Sequence, residues 1–214
     1  MTFSNNLEGG NTMDIGKIIN QAIEILTKPK EALPKLKEQQ MTMQDVIIYL
    51  AIVGIPTFLG VFIGYGFIGY GLGGSAGWGF ALGIIQYILA IIGMIVFAFI
   101  FNALAPTFKS KQNQMQSLKL IMATATPWLI AGIFSIYPPI YILGILGGLY
   151  GLYILYIGLP IFMETPEDQR IIYLIFGIVI YLVIMMVVGW ITSAIWGSLV
   201  WGAAWSAYNY SPYL

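Results

Sequence analysis

"LIMATATPWLIAGIFSIYPPIYILGILGGLYGLYILYIGLPIFM", residues 120–163, contains no charged side chain. A transmembrane helix needs about 20 apolar residues to cross a bilayer core about 30 Å thick. These 44 residues are therefore long enough to cross twice. Pro138 and Pro139 divide the stretch, because a proline ends one helix and is accepted in the first turn of the next. The stretch predicts two membrane-spanning helices joined by a tight turn.

The rest of the chain has the same character. Of its 214 residues, 59% are hydrophobic and 8% are charged, whereas a soluble domain carries about 25% charged residues. Two further uncharged stretches cover residues 46–108 and 171–214. The first divides at the glycine-rich segment 69–77, which favours a turn. The composition therefore predicts an all-α integral membrane bundle rather than a soluble protein.

Five transmembrane helices account for these stretches. The expected membrane domain covers residues 46–192, followed by an aromatic extension, 193–214, which continues the fifth helix at the membrane interface. A sixth crossing in this extension is the less favoured alternative. The expected spans lie at about 46–68, 79–104, 118–136, 139–163 and 171–192.

Charge indicates the orientation of the helices. All nine Lys and Arg residues lie in or beside the N-terminal segment, the 105–117 loop and the 164–170 loop. The loops on the opposite side carry none. The positive-inside rule places the N-terminus in the cytoplasm and the C-terminus outside, in a multi-pass protein of the cell membrane.

The N-terminal region precedes the membrane domain. Residues 1–13 form a polar tail that does not resemble a signal peptide. Residues 14–45 are expected to hold a cytoplasmic amphipathic helix and a linker of basic and acidic residues. In the helix, 14–26, Asp14 is the expected N-cap and Pro29 marks the end. The natural start is either Met1 or Met13.

A few of these cytoplasmic residues are candidates for contact with a partner protein or with lipid. They lie on the apolar face of helix 14–26 and in the basic loop 105–117, and the alternative is a helix packed beneath its own bundle. The candidates are Ile15, Ile18, Ile19, Lys109 and Lys111.

Glycines recur at a spacing of four residues inside the spans, which brings helix backbones close together in lipid. Packing within the chain is the favoured interpretation, and association with a second copy or another membrane protein is the alternative. The candidate helix-packing residues are Gly60, Gly64, Gly79, Gly83, Gly144, Gly148 and Gly151.

Prolines inside two spans indicate kinks. Pro127 removes one backbone hydrogen bond, and Thr124 and Thr126 are candidates to bond the freed carbonyl groups. Pro56 and Thr57 repeat the combination in the first span. A packed kink is the favoured interpretation, and a cleft that receives a lipid or a partner helix is the alternative.

The chain contains few residues suited to catalysis. The chain has no cysteine and no histidine, and we expect no cofactor, no metal, no catalytic residue and no nucleic-acid partner. Glu164, Glu167 and Asp168 are the one carboxylate cluster beside the membrane, and we interpret them as a polar turn with Thr165 capping the fifth helix. No ionisable residue lies in mid-span, where Gln86 and Asn102 are the strongest hydrogen-bonding groups.

Three segments carry a resemblance to a known family. They are "TKPKEAL" at 27–33, the lysine-bearing loop and proline-bearing span at 102–139, and "LGGLYGLYILYIGLPIFMETPEDQR" at 146–170. Over roughly residues 14–192 the chain resembles the Yip family of five-span membrane proteins, named for interaction with Ypt/Rab GTPases, and especially its prokaryotic members. Eukaryotic members are linked to vesicle traffic, Rab binding and membrane shaping. Their long N-terminal region and "DLYGP"-like segment have no counterpart here, so no GTPase-binding residue is carried over.

The resemblance and the residues together favour a non-catalytic membrane scaffold or adaptor in membrane organisation or trafficking-like processes. Its expected partners are membrane lipids, a second copy of itself, or another membrane protein. The alternative is a transporter or permeation protein for a neutral or lipidic substrate, with a cleft beside Pro127 and Pro56 and with Asn102 or Gln86 as polar handles. A membrane-embedded enzyme is the third and least favoured hypothesis.

Overall fold

Helices account for nearly all of the chain in a computed structural model, which describes residues 14–68, 76–140 and 142–209, with the backbone alone for residue 138 and residues 199–209. No strand occurs in these residues, so the all-α prediction is confirmed. The α-helices are α1 (Ile15–Thr27), α2 (Pro29–Glu38), α3 (Met43–Val53), α4 (Ile55–Ile63), α5 (Ala76–Leu104), α6 (Gln114–Ala131), α7 (Ile142–Phe162) and α8 (Glu167–Asn209).

Five of the described segments are long and apolar enough to cross a membrane, which confirms the predicted number. The expected continuation of the fifth helix is also found, because α8 extends to Asn209. Most of the predicted glycine turn, 69–75, the polar tail 1–13 and residues 210–214 lie outside the described residues. The spanning segments are Met43–Ile68, Ala76–Phe108, Gln114–Ile136, Ile142–Phe162 and Glu167–Ser198.

The first span differs from the single helix expected at 46–68. It breaks at Gly54 into α3 and α4 and ends in a π-helical turn, Gly64–Ile68. Pro56 lies in the first turn of α4, where its missing N–H and its ring prevent α3 from continuing. The Tyr87 hydroxyl of α5 donates a hydrogen bond to the Ala51 carbonyl, which satisfies a backbone group at the break.

Helix α6 is the centre of the bundle. It contacts all of α1 to α5 and also α7, and most of its side chains from Ser117 to Pro127 are buried. It continues through Pro127 and tightens into a 3-10 turn, Gly132–Ile136. Residues 105–113 connect α5 to the start of α6, and residues 137–140 connect the end of this central segment to α7. We call the side of the bundle with residues 105–113 and 163–166 the loop side, and the side with residues 137–140 the turn side.

Helix α8 lies at the edge of the bundle. It contacts α5, α7 and the 3-10 turn Ala105–Phe108, but its described residues do not pack against α6. Tyr173 fixes its loop-side end, because the ring stacks between Phe101 at 4.2 Å and Phe108 at 4.6 Å. The Tyr173 hydroxyl also donates to the Phe101 carbonyl at 2.6 Å. On the turn side, Trp196 meets Trp78 of α5 with ring centroids 5.6 Å apart, so this helix is held on α5 at both ends without packing against α6.

Replacing Tyr173 tests that anchor. Tyr173→Ala removes a fully buried ring and should lower the free energy of unfolding by about 3–5 kcal/mol, whereas Tyr173→Phe keeps the stack and loses one hydrogen bond worth about 1 kcal/mol. Equilibrium unfolding of the detergent-solubilised protein measures both variants. Equal losses for the two would show that the stack contributes nothing.

Candidate functional site

Helices α1 and α2 form an antiparallel hairpin against the loop-side half of the bundle, and we call it the N-terminal hairpin. The segment expected to be a linker is helical from Pro29, because Pro29 occupies the first helical position and Ala32, Leu33 and Leu36 form a buried face. That spacing is visible in the sequence, so periodicity could have predicted α2. Asp14 precedes α1 as expected, but its side chain makes no capping hydrogen bond.

The contact face of α1 differs from the one expected. Ile18 is buried together with Ala22 and Ile25, so this part of the helix packs on its own bundle. Ile15 and Ile19, which were grouped with Ile18, are 60% and 49% exposed, and Ile23 is 51% exposed. Residues 15, 19 and 23 follow one another at four-residue spacing, so they form an exposed apolar ridge beside the buried face.

Hydrogen bonds from the spans hold the N-terminal hairpin in place. The Lys119 ammonium of α6 donates to the Lys37 carbonyl at 2.9 Å and to the Gln39 carbonyl, at the carboxyl end of α2. The Tyr150 hydroxyl of α7 donates to the Leu26 carbonyl at 2.8 Å, near the end of α1. Both helices of the hairpin are therefore bonded to the membrane domain.

Lys119 is the residue that sequence reasoning missed. It was grouped with the loop lysines, yet it is 3% exposed and has no carboxylate within ion-pair distance among the described residues. A buried ammonium needs several acceptors, and the last carbonyl groups of a helix supply them, together with the negative end of its dipole. A single lysine three residues before "MATA" gives no sequence signal for this role.

The two lysines expected to contact lipid or a partner join the two loops of the loop side. Lys111 Nζ lies 3.1 Å from Glu164 Oε1, and Lys109 Nζ lies 3.6 Å from Asp168 Oδ2. The Ser110 hydroxyl also donates to the Thr165 hydroxyl at 2.9 Å. Exposed ion pairs contribute about 0–1 kcal/mol, so the lysines remain available at the surface while the buried hydroxyl pair holds the loops.

Of the three carboxylates expected to form a polar turn, Glu164 lies in the turn, whereas Glu167 and Asp168 lie in the first turn of α8. Glu164 also lies 3.8 Å from Lys37 of the hairpin, and Asp168 accepts from Gln169. Thr165 does not cap α8, because its hydroxyl oxygen accepts from Ser110 rather than from a backbone N–H of that helix, and its proton goes to the Leu159 carbonyl at 3.2 Å. Among the described residues no group of three His, Cys, Asp or Glu side chains could hold a metal ion.

A second candidate site lies between α8 and the rest of the bundle. A cavity of about 850 Å³ opens on the turn side, and its lining includes Thr57, Gln86, Trp128, Thr192 and Ser193. Another of about 570 Å³ lies deeper, and α6, α7 and α8 line most of it. The two share Trp128, Gly144 and Met185 in their linings, so they adjoin, and together we call them the α8 cleft.

Most of the candidate glycines lie at contacts inside the chain. A Cβ on Gly151 would lie 2.6 Å from the Thr124 carbonyl oxygen, and one on Gly83 would lie 3.0 Å from the Phe58 ring. Gly60 faces the Gly132 carbonyl and Gly79 faces the Gly66 backbone. These helices can approach closely because a side chain is missing.

The remaining candidate glycines have other surroundings. Gly64 is buried at the point where α4 passes into the π-helical turn. A Cβ on Gly148 would make ordinary van der Waals contact with Trp128 at 3.7 Å, and both Gly144 and Gly148 line the α8 cleft. Part of the α7 glycine face therefore borders a cavity rather than another helix.

Two of the three threonines near Pro127 bond carbonyl groups of α6, as expected for a kinked helix. Thr126 donates to the Met122 carbonyl at 2.9 Å and bonds the Tyr49 hydroxyl at 3.0 Å. Thr57 of α4 donates to the Leu129 carbonyl at 2.6 Å, where α6 begins to tighten. Thr124 differs from the expectation, because its buried hydroxyl has no hydrogen-bond partner in the structure and it lines the α8 cleft.

Asn102 and Gln86, the two residues expected as polar handles of the cleft, lie in different surroundings. Asn102 donates to Gln114 at 2.9 Å and accepts from the Asn113 amide at 2.8 Å, so it closes the 105–113 loop and lies away from the cleft lining. Gln86 lines the turn-side cavity, and its amide makes no hydrogen bond to any described residue. The cleft therefore lies beside Thr57 and Trp128, next to the two prolines, with Gln86 as its polar handle.

Lys119→Met tests the attachment of the N-terminal hairpin. The change removes a donor from the part-buried Lys37 and Gln39 carbonyl groups, of which the first keeps the Gln116 amide at 3.3 Å, so the loss should be about 1–3 kcal/mol and exchange of the α2 amides with solvent should rise about tenfold or more. Hydrogen exchange read by mass spectrometry measures this. Lys35→Met is the matched control, because Lys35 forms an exposed pair with Glu24 and should change exchange little. Similar protection in both variants would contradict the assigned role of Lys119.

Comparison with known proteins gives one match. The family model described as Yip1 domain matches residues 23–189, which is more than half of the chain. No curated protein and no solved structure matches. The matched region includes α2, all of α3 to α7 and most of α8, so it contains the anchors of the N-terminal hairpin and most of the lining of the α8 cleft.

Proposed function

We propose that this chain, which belongs to the Yip1 domain family, acts as a non-catalytic scaffold or adaptor that presents its N-terminal hairpin to a partner protein at the membrane surface. Family membership and five apolar helices make it a multi-pass membrane protein. The observation that carries the proposal is a hairpin bonded firmly to the spans on one face while a ridge of isoleucines, at positions 15, 19 and 23, stays exposed on another.

The anchoring supports a display role. An adaptor surface binds better when it is ordered before the partner arrives, because ordering it on binding costs conformational entropy. Lys119 and Tyr150 fix both helices of the hairpin, and Glu164 adds an exposed pair to Lys37. Covering what is exposed of each ridge isoleucine would contribute roughly 1 kcal/mol, since full burial of such a side chain is worth about 1.5–3 kcal/mol.

The charges of the hairpin favour a protein partner over a lipid surface. Residues 14–38 contain five lysines and four acidic residues, so both signs are mixed along the segment. An amphipathic helix that lies on anionic lipid is typically rich in Lys and Arg on its polar face, with little acid to oppose them. Mixed signs are suited to complementary pairing at the rim of a protein interface.

The carboxylates of the loop side support a non-catalytic role. Glu164 and Asp168 are paired with lysines across the two loops. Both side chains are exposed, unlike the buried carboxyl groups that serve as general acids. Their contacts account for them as connectors between α5, α7 and α8.

We propose further that the loop side faces the cytoplasm of the cell, as the distribution of Lys and Arg indicates. Because the chain contains no cysteine, single cysteines can be added for labelling. Gln112→Cys on the loop side should react with a membrane-impermeant maleimide only after the cells are opened, whereas Tyr137→Cys on the turn side should react in intact cells. The reverse pattern would place the N-terminal hairpin outside.

A photo-crosslinking residue at position 15 tests the adaptor. In native membranes it should give one reproducible protein adduct, identified by mass spectrometry, and Ile19→Asp should lower its yield about tenfold, because burying a carboxylate in an apolar contact costs more than 1.4 kcal/mol. Asn20→Asp adds the same charge at the next exposed position and is the matched control.

Each other outcome of this experiment is informative. A self-adduct would identify a second copy as the partner and keep the scaffold. Adducts with lipid alone, or a protein adduct that Ile19→Asp leaves unchanged, would contradict the adaptor.

A further inference from the structure

We infer that the α8 cleft is a binding site for one neutral, hydrogen-bonding membrane lipid segment, with the polar part of the lipid on the turn side and an acyl chain in the deeper cavity. This inference is independent of the proposed adaptor role, because it rests on other residues.

The first argument is the origin of the cleft. Helix α8 packs on α5 and α7 but not on α6, so a gap separates α8 from the central helix. Of the residues in an apolar 18-residue window of α8, 11% are buried, whereas the corresponding share in α6 is 50%. Tyr173 anchors the loop-side end of α8, while Gly189 on the turn side has nothing within 4 Å of an added Cβ. Trp78 of α5 contacts Trp196 near the far end of the cleft, so α8 stays on α5 while the gap against α6 remains.

The second argument is length. The lining on α8 extends from Gly177 in the deeper cavity to Ser193 in the turn-side cavity. At 1.5 Å per residue this is about 24 Å, most of the thickness of a bilayer core of about 30 Å. A compact solute would fill only a part of such a cleft, whereas an extended hydrocarbon chain has its shape.

The third argument is the gradient of polarity. Gln86, Ser135, Thr192 and Ser193 line the turn-side cavity, where the ester or head-group oxygens of a lipid would lie. Glycine and aliphatic residues line most of the deeper cavity, including Gly148 and Leu155. No Asp, Glu, Lys or Arg occurs among the described residues of either lining, so the site offers no compensation for a charged ligand.

The fourth argument is the unsatisfied polar groups. An unbonded amide or hydroxyl inside the hydrocarbon region costs free energy, so such groups normally have partners. Gln86 makes no hydrogen bond to a described residue, and the buried Thr124 hydroxyl has none in the structure. Gln86 lines the turn-side cavity, where the lipid oxygens would lie, whereas Thr124 lines the deeper cavity, where an acyl chain offers no hydrogen bond. A lipid oxygen can accept from the Gln86 amide, which makes the cleft selective for a lipid segment that carries acceptors.

Filling the cleft without disturbing the helix tests the inference. Gly189→Leu should block the turn-side cavity, because an added side chain meets open space there. Gly197→Leu is the matched control: it lies on the same helix, also has nothing within 4 Å, and does not line either cavity. Gln86→Leu removes the amide while keeping a side chain of similar length.

The measurement is native mass spectrometry of the full chain after reconstitution in vesicles of equal parts phosphatidylcholine and phosphatidylglycerol and gentle extraction. The wild-type chain and Gly197→Leu should each retain one lipid, and Gly189→Leu and Gln86→Leu should lower that occupancy at least fivefold. Because the lining is uncharged, retention should be the same at 0.15 M and 1 M salt, to within about the precision of the measurement.

Other results would overturn the inference. If the wild-type chain retained no lipid, or if Gly189→Leu retained as much as Gly197→Leu, the cleft would not be the site. Loss of the lipid at high salt, with a preference for phosphatidylglycerol, would instead assign it to the exposed lysines of the loop side, Lys109 and Lys111.

Discussion

The constraint on which this structure depends is that lipid offers no hydrogen bonds to a broken or tightened helix. At two points where a helix of this chain breaks or tightens, a side chain from a neighbouring helix donates to a freed carbonyl group. Tyr87 does so at the break between α3 and α4, and Thr57 does so where α6 tightens. Tyr173 and Lys119 use the same bond to attach α8 and the N-terminal hairpin. Contacts between a side chain and a main-chain carbonyl thus join the bundle, in addition to the packing of glycines.

The five spans could be predicted because apolar length and the position of charges are properties of the sequence alone. Residues 120–163 illustrate this, since 44 uncharged residues with two prolines allow few arrangements in a bilayer. The break at Gly54 could not be placed, because Pro56 can be tolerated in a continuous helix and only the presence of Tyr87 beside Ala51 satisfies the broken one. Helix α2 was predictable from its apolar spacing, but its many charges favoured a linker.

The sites were less accessible to prediction, because each depends on what lies opposite a residue. Ile15, Ile18 and Ile19 share one stripe in the sequence, and the line between exposed and buried residues divides that stripe, because α1 rests on the bundle at an angle that no periodicity specifies. In the sequence Lys119 groups with Lys109 and Lys111, and only its contact with the end of α2 in the folded chain distinguishes its role. Asn102 and Gln86 are similar polar residues of one helix. Their roles differ because Asn102 bonds the last residue of the 105–113 loop and the residue that follows it, whereas Gln86 lines the cleft.

The rule that freed polar groups are satisfied also gives meaning to its exceptions. Along α6, Ser117 donates to the Ala98 carbonyl and Thr126 donates to the Met122 carbonyl, whereas Thr124 between them bonds nothing. On α5, Tyr87 is bonded and its neighbour Gln86 is not bonded to any described residue. Both exceptions border the gap that α8 leaves against α6, whereas the other buried polar atoms without a partner among the described residues, on Gln114, Gln116 and Arg170, lie at the loop-side ends of α6 and α8. Inside the spans, Tyr87, Thr57 and Thr126 all find partners in neighbouring helices, which is consistent with a gap in which a molecule from the bilayer bonds Gln86.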